Sequence, residues 1–86
     1  MAYTIIFAKS AQKELNRISK PFGNKILAKI EILAEQPRPH GSIKLEGSNN
    51  TYRIRIGDYR VIYSIYDKEL VVDVIKIDHR KQVYRK

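Results

Sequence analysis

The sequence predicts an α+β fold: a small, mainly antiparallel sheet of about four strands with an N-terminal two-helix hairpin packed on one face. The expected order is β-α-α-β-β-β, closing on a short C-terminal tail or helix. Three observations carry this. The stretch Tyr52–Tyr66, YRIRIGDYRVIYSIY, alternates as a half-buried hairpin does. Residues 9–34 carry two apolar stripes at helical spacing. Residues 2–7 and 70–77 are short β-branched runs.

Taken in order, Ala2–Phe7 (AYTIIF) reads as a first strand. Ser10 can cap the helix that follows, with Ala11, Leu15 and Ile18 on one stripe. Lys9, Lys13 and Arg17 fall on its other side. Pro21 suits the first turn of a second helix, with Ser19 or Lys20 as its cap. Phe22, Ile26, Ile30 and Leu33 form the buried stripe of that helix, thickened by Leu27 and Ala34, and Pro37 bounds it. Pro37–Ser42 (PRPHGS) is a loop by composition. Ile43–Leu45 reads as a short extended piece and Gly47–Asn50 as a turn.

In the central stretch Tyr52, Ile54 and Ile56 point one way, Arg53 and Arg55 the other. Gly57-Asp58 has the chemistry of a two-residue turn. Folding about it pairs Ile56 with Tyr59, Arg55 with Arg60, Ile54 with Val61 and Arg53 with Ile62. Ile54, Ile56, Tyr59, Val61, Tyr63 and Ile65 then make a core face. Tyr59, Tyr63 and Tyr66 belong to core or rim packing. The other face gathers Arg53, Arg55 and Arg60. Like charges directly opposite one another destabilise a sheet, so this face suits a bound anion, because guanidinium forks match phosphate oxygens. The competing reading is a solvated basic face whose arginines pair with Asp58 or Asp73. Leu70–Ile77 (LVVDVIKI) reads as a last strand, central and buried on both faces. If it turns back around Asp67-Lys68, Asp73 lies opposite Ile62, placed to neutralise or orient Arg60. The tail Asp78–Lys86 is basic and is expected at the rim of the sheet.

Eighty-six residues make a single domain, 1–86, with a small core. There is no cysteine, so neither disulfides nor thiolate-held metal stabilise it. Seventeen Lys and Arg against nine Asp and Glu give a formal charge of +8, which suits a polyanionic partner such as nucleic acid or an acidic protein. No apolar run approaches the roughly 20 residues of a spanning helix, and no signal segment opens the chain; a cytoplasmic protein with no membrane partner is expected. The two histidines and scattered carboxylates make no metal-ligand pattern. The glycines form no phosphate-binding loop, and no serine has a His–acid partnership.

The order of elements, the KLEG of Lys44–Gly47, the YRIRIGDYRVIY of Tyr52–Tyr63 and the IDHRKQVYR of Ile77–Arg85 together resemble the RelE branch of the RelE/ParE toxin superfamily. The resemblance spans essentially the whole chain. It implies the toxin of a type II toxin–antitoxin module: a ribosome-dependent, metal-independent mRNA endonuclease, needing no cofactor. Such a toxin cuts the messenger in the A site by attack of its own 2′-hydroxyl, leaving a cyclic phosphate and a 5′-hydroxyl. The family's two sheet lysines align with Arg53 and Arg55, so the charge is kept and the residue type is not. Its phosphate-contacting arginine after the turn matches Arg60, its second essential arginine Arg80, and its terminal tyrosine Tyr84. Lys44, Lys81 and Arg85 are expected to contact RNA.

Arginine stabilises phosphorane charge well but accepts protons poorly. The general base is therefore open among His79, Tyr84 and a ribosomal group. The resemblance also implies a cognate RelB-like antitoxin, partly acidic, and promoter DNA binding only through the antitoxin complex. Two other readings stand beside this one: a ParE-like inhibitor of DNA gyrase, and a non-catalytic basic module that binds RNA or a partner.

Overall fold

The computed structural model describes residues 2–79. The elements are β1 (Thr4–Phe7), α1 (Lys9–Arg17), α2 (Lys20–Ile32), β2 (Ile43–Lys44), β3 (Thr51–Ile56), β4 (Tyr59–Tyr66) and β5 (Val71–His79). They form one five-stranded sheet in the order β1-β5-β4-β3-β2. The β1–β5 pair is parallel and every other pair is antiparallel. The expected α+β class and element order hold. The fifth strand is β2, the short extended piece at Ile43-Lys44, which pairs with Arg53 and Tyr52 of β3. The expected C-terminal tail or helix lies outside the described residues.

The core lies between the helices and one face of the sheet. Ala11 of α1, Ile26 and Ile30 of α2, and Leu33 at its C-cap are fully buried. They meet Ile54, Ile56, Val61, Tyr63, Ile65, Val72, Val74 and Ile77 of the sheet. Leu15, Ile18 and Phe22 pack at its margin. The helical stripes and the hairpin's inner face are thus those expected. Each fully buried aliphatic side chain contributes about 1.5–3 kcal/mol.

Four details depart from expectation. First, α1 begins at Lys9 with Ala8, not Ser10, at its cap, and no side chain caps it. The Ala8 amide donates to the Val74 carbonyl at 2.8 Å, carrying the β1–β5 ladder right up to the helix. The helix therefore starts at the next residue, before Ser10 is reached. Second, β4 and β5 join through Asp67–Leu70 rather than a two-residue turn. Leu70 adopts φ +57, and its carbonyl accepts from the Thr4 amide of β1 at 2.8 Å. Tyr66 consequently pairs with Val71. Third, a bulge lies beside Ile62 and Tyr63: Tyr63 pairs with Val74 but Ile62 with Lys76, leaving Ile75 without a partner. Turn and bulge together bring Asp78, not Asp73, opposite Arg60; Asp73 pairs with Ser64. Fourth, β5 is buried on one face only, since Ile75 and Lys76 are exposed. The bulge shifts the alternation by one residue, so Val72, Val74 and Ile77 all point inward. That shift makes a one-sided strand look continuously apolar.

At the opposite end of the sheet from the hairpin turn, the loop after α2 is pinned. The Tyr63 hydroxyl donates to the Pro37 carbonyl at 2.8 Å, and burial pushes its pKa up to about 12. Arg38 donates to Asp67 at 2.8 Å and to the Tyr52 hydroxyl at 3.1 Å. The Tyr3 hydroxyl also donates to Asp67, at 2.7 Å. Hydrogen bonds from Arg38 first and Tyr3 second hold the Asp67 carboxyl below its ordinary range.

Two predictions follow from these contacts. Gly57 has φ +61, and a Cβ there would come 2.5 Å from Phe22 Cζ. Gly57→Ala should destabilise the protein by at least the ~1–2 kcal/mol that a left-handed residue costs, and denaturant unfolding measures it; an unchanged midpoint would refute the turn geometry. Asp67 has a folded-state pKa depressed below its unfolded value, so its contribution is complete above about pH 4 and is lost as pH falls through the folded value. The protection of the amides of Arg38, His40, Gly41 and Ser42 against exchange, relative to the unfolded chain at the same pH, should fall over that acidic window, and Arg38→Ala should largely remove the pH dependence.

Candidate functional site

The face of the sheet away from the helices carries the charge. The period of two in β3 and β4 sends Arg53, Arg55 and Arg60 outward while Ile54, Ile56 and Val61 go to the core. Arg55 pairs directly with Arg60, and Arg53 with Ile62. The expected register about Gly57-Asp58 is the observed one at every position.

The three guanidinium groups are held differently. Arg60 is three-quarters buried: its side chain is 23% exposed, and its Nη2 lies 3.5 Å from Asp78 Oδ2. The same carboxylate oxygen lies 3.7 Å from Lys76 Nζ, so one anion serves two cations. Arg60 Nε is fully buried and has no hydrogen-bond acceptor among the described residues. An unmet buried donor costs about 1–3 kcal/mol. Arg60 is thus kept in place at some expense to local stability. Arg53 is half-buried and Arg55 exposed, and neither enters an ion pair among the described residues. The proposed pairing of the arginines with Asp58 or Asp73 does not occur there. Asp78 answers one guanidinium, and among the described residues two remain uncompensated for an incoming anion.

Beside Arg53 and Arg55 the sheet edge opens. Because β2 pairs only with Tyr52 and Arg53, no described strand covers the outer edge of β3 beyond Arg53. There His40, Gly41 and Ile43 face Arg53, Ile54 and Arg55 across a groove of about 450 Å³. A polyanion strand on the open face would meet cations along β3 and β4, with this groove at its side. Among the described residues no group of three or more His, Cys, Asp or Glu could hold a metal ion. No described helix is long and apolar enough to cross a membrane.

Other expected site residues lie elsewhere. His79 pairs with Tyr59, and their rings meet edge-on at 4.7 Å. Tyr59 in turn packs on Phe22 of α2 at 5.4 Å. His79 therefore sits on the helix side of the sheet, away from the arginines. Lys44 pairs with Tyr52, so it emerges on that side too, opposite to Arg53. Arg80, Lys81, Tyr84 and Arg85 lie outside the described residues. Two site residues escaped the sequence reading. Asp78 needed the bulge to be found. His40 stood in a segment legible only as a loop, with no periodicity to show what it faces.

The comparisons with known proteins agree with this architecture. The family model for the ParE toxin of the type II toxin–antitoxin system parDE matches residues 5–84. The mRNA interferase toxin RelE of Escherichia coli is 30% identical over 95% of this chain and 87% of its own. Toxin RelG of Mycobacterium tuberculosis is 28% identical over the full length of both chains. Among solved structures, the archaeal RelE–RelB complex from Pyrococcus horikoshii superposes with a TM-score of 0.83 at 36% identity, over 93% of this chain and 97% of that one. Isolated E. coli RelE does so at 0.80 and 29%, over 91% of this chain and 84% of that one. With a family match over nearly the whole chain, RelE toxins among its relatives and the same strand–helix–helix–sheet architecture, the chain belongs to the ParE toxin family of type II toxin–antitoxin systems, as a RelE-like member.

Proposed function

We propose that this protein is the toxin of a type II module and acts as a ribosome-dependent, metal-independent mRNA endonuclease, inhibiting translation from the cytoplasm as one domain spanning residues 1–86. The observation that carries the reading is the outward face of β3 and β4, where Arg53 and Arg55, with no carboxylate partner among the described residues, stand beside a fixed Arg60. The name borne by the E. coli relative, an mRNA interferase, supports it.

Cleavage breaks the P–O5′ bond as the adjacent 2′-oxygen bonds to phosphorus. Negative charge builds on the non-bridging oxygens in the transition state. In the proposed mechanism Arg60, joined by Arg80 from the tail, grips the scissile phosphate. Arg53 and Arg55 stabilise that charge and hold the flanking backbone. Tyr84 stacks on or orients a base, and Lys81 and Arg85 contact RNA. The ribosome supplies the splayed, in-line geometry that a protein this small cannot impose alone. Lys44 faces away from the arginines and is left as a peripheral contact at most.

The proposed partners are the A-site messenger and a RelB-like antitoxin. Several structural neighbours were solved as RelE–RelB complexes, and the charge of +8 suits a partly acidic inhibitor. Promoter DNA would be bound only through the antitoxin complex. One observation favours a second reading: the family model that matches is described for ParE. The opposed arginines on the open sheet face suit phosphate gripping, which keeps this reading second.

Cell-free translation with purified toxin, followed by mapping of messenger ends, tests the proposal. Arg60→Ala should lower cleavage by about 10²–10³, the usual effect of removing one preorganised transition-state donor. Lys76→Ala, which takes away only the second cation on Asp78, should change it less than threefold or so. Inhibition of gyrase supercoiling by a protein that leaves translation intact would reverse the ranking.

A further inference from the structure

The turn that carries His40 is held from three sides. Upstream, the buried Tyr63 hydroxyl grips the Pro37 carbonyl at 2.8 Å. Next, Arg38 is forked onto Asp67 and Tyr52. Then Pro39–Ser42 closes as a β-turn: the Ser42 amide donates to the Pro39 carbonyl at 3.0 Å, and Gly41 takes φ +96. That is the third position of a type II turn, where glycine is wanted. Fixing each backbone residue costs about 1–2 kcal/mol of conformational entropy. In this hexapeptide, half of whose residues are exposed, these contacts offset that loss.

What the pinned turn positions is an imidazole. His40 lies at its second position and forms one wall of the groove whose other wall is Arg53, Ile54 and Arg55. It is exposed and makes no hydrogen bond or ion pair among the described residues. The charged groups that face it are Arg53 and Arg55; Arg38, two residues earlier, is taken up by Asp67. Of the side chains lining that groove, the imidazole alone ordinarily changes charge between pH 5 and 8. Guanidinium groups, which occupy the sheet positions beside it, do not give up protons in this range.

We infer that His40 is the general base of the proposed nuclease, taking the proton of the attacking 2′-hydroxyl while Arg53 and Arg55, across the groove, stabilise the developing charge and hold the flanking backbone. The inference rests on the nuclease reading above. The 2′-O–H bond breaks as the O2′–P bond forms, and the proton passes to the neutral imidazole. The P–O5′ bond breaks, and the departing oxygen takes a proton from water. The imidazolium then returns its proton to solvent, so the enzyme ends as it began. The site's division of labour follows: fixed charge on the strands, proton transfer on the loop.

The test compares wild type, His40→Gln and His40→Ala in ribosome-dependent cleavage of a defined messenger, across pH 5.5 to 8.5 or so and with and without added imidazole. We expect both variants to lose about 10²-fold or more in single-turnover rate. The acidic limb of the pH–rate profile should disappear with them, and added imidazole should restore part of the rate to His40→Ala alone. Melting temperature and ribosome affinity should be unchanged, because His40 supports no packing. Cleavage by wild type with an unaltered rate and profile in His40→Gln would overturn the inference and leave the nuclease reading standing. Loss of rate with no change in profile and no rescue would make His40 an RNA contact and also overturn it. No cleavage by wild type would overturn both.

Discussion

Everything on the open face depends on the two-residue reversal at Gly57-Asp58. Side chains alternate strictly along β3 and β4, so this turn sets core and charge in one act. The pairing that buries Ile54 against Val61 and Ile56 beside Tyr59 also puts Arg55 opposite Arg60. A slip of one residue would send the isoleucines to solvent and the arginines inward. The repulsion between the two guanidinium groups therefore cannot be relieved by changing register. It is tolerated because the hydrophobic gain on the other face, several kcal/mol for the buried aliphatics there, exceeds the fraction of a kcal/mol to 1 kcal/mol that a like-charge cross-strand pair typically costs.

The third strand of the central sheet tempers the repulsion on one side only. The four-residue connection through Leu70 and the bulge at Ile75 deliver Asp78 to Arg60. Without the bulge, the partner of Arg60 would be Ile77 and the carboxylate would face the core. Bulges commonly re-aim a side chain in this way next to functional sites. The result is asymmetric. Arg60 is anchored and mostly buried, whereas Arg53 and Arg55 lie toward the outer edge of β3 with no carboxylate of their own among the described residues. An anion arriving on this face would meet one rigid donor and two adaptable ones.

What was legible in the sequence was whatever short-range periodicity controls. The Gly57 turn, the hairpin register and the stripes of α1 and α2 follow from spacing within a dozen residues, and they stand as read. What was not legible depends on contacts between distant segments. Asp73 looked like the partner of Arg60 because a two-residue turn is the simplest closure; the left-handed Leu70 is stabilised instead by β1, which lies across the sheet. Ser10 looked like a cap because nothing local says that Ala8 is still bonded to β5. His79 looked close to the site because it precedes Arg80, yet alternation turns it toward Tyr59 on the helix side of the sheet. His40 stood among prolines and a glycine, where neither helical nor strand spacing exists to indicate a neighbour.

The same distinction explains how a family model described for ParE and relatives named RelE can both fit one chain. Turn chemistry, helical stripes and the parallel β1–β5 pair define the scaffold and its buried face. The proposed activity uses the other face, where substitution leaves the core untouched. On that face, arginine at positions 53 and 55 supplies permanent charge and forked hydrogen bonding but gives up the readily shifted proton affinity of an ammonium group. A sheet so furnished is well made to bind a phosphate backbone and poorly made to accept a proton. If the messenger is cut here, the acceptor has to come from a group beside the sheet, and the edge of β3 beyond Arg53, where the pinned turn stands, offers one.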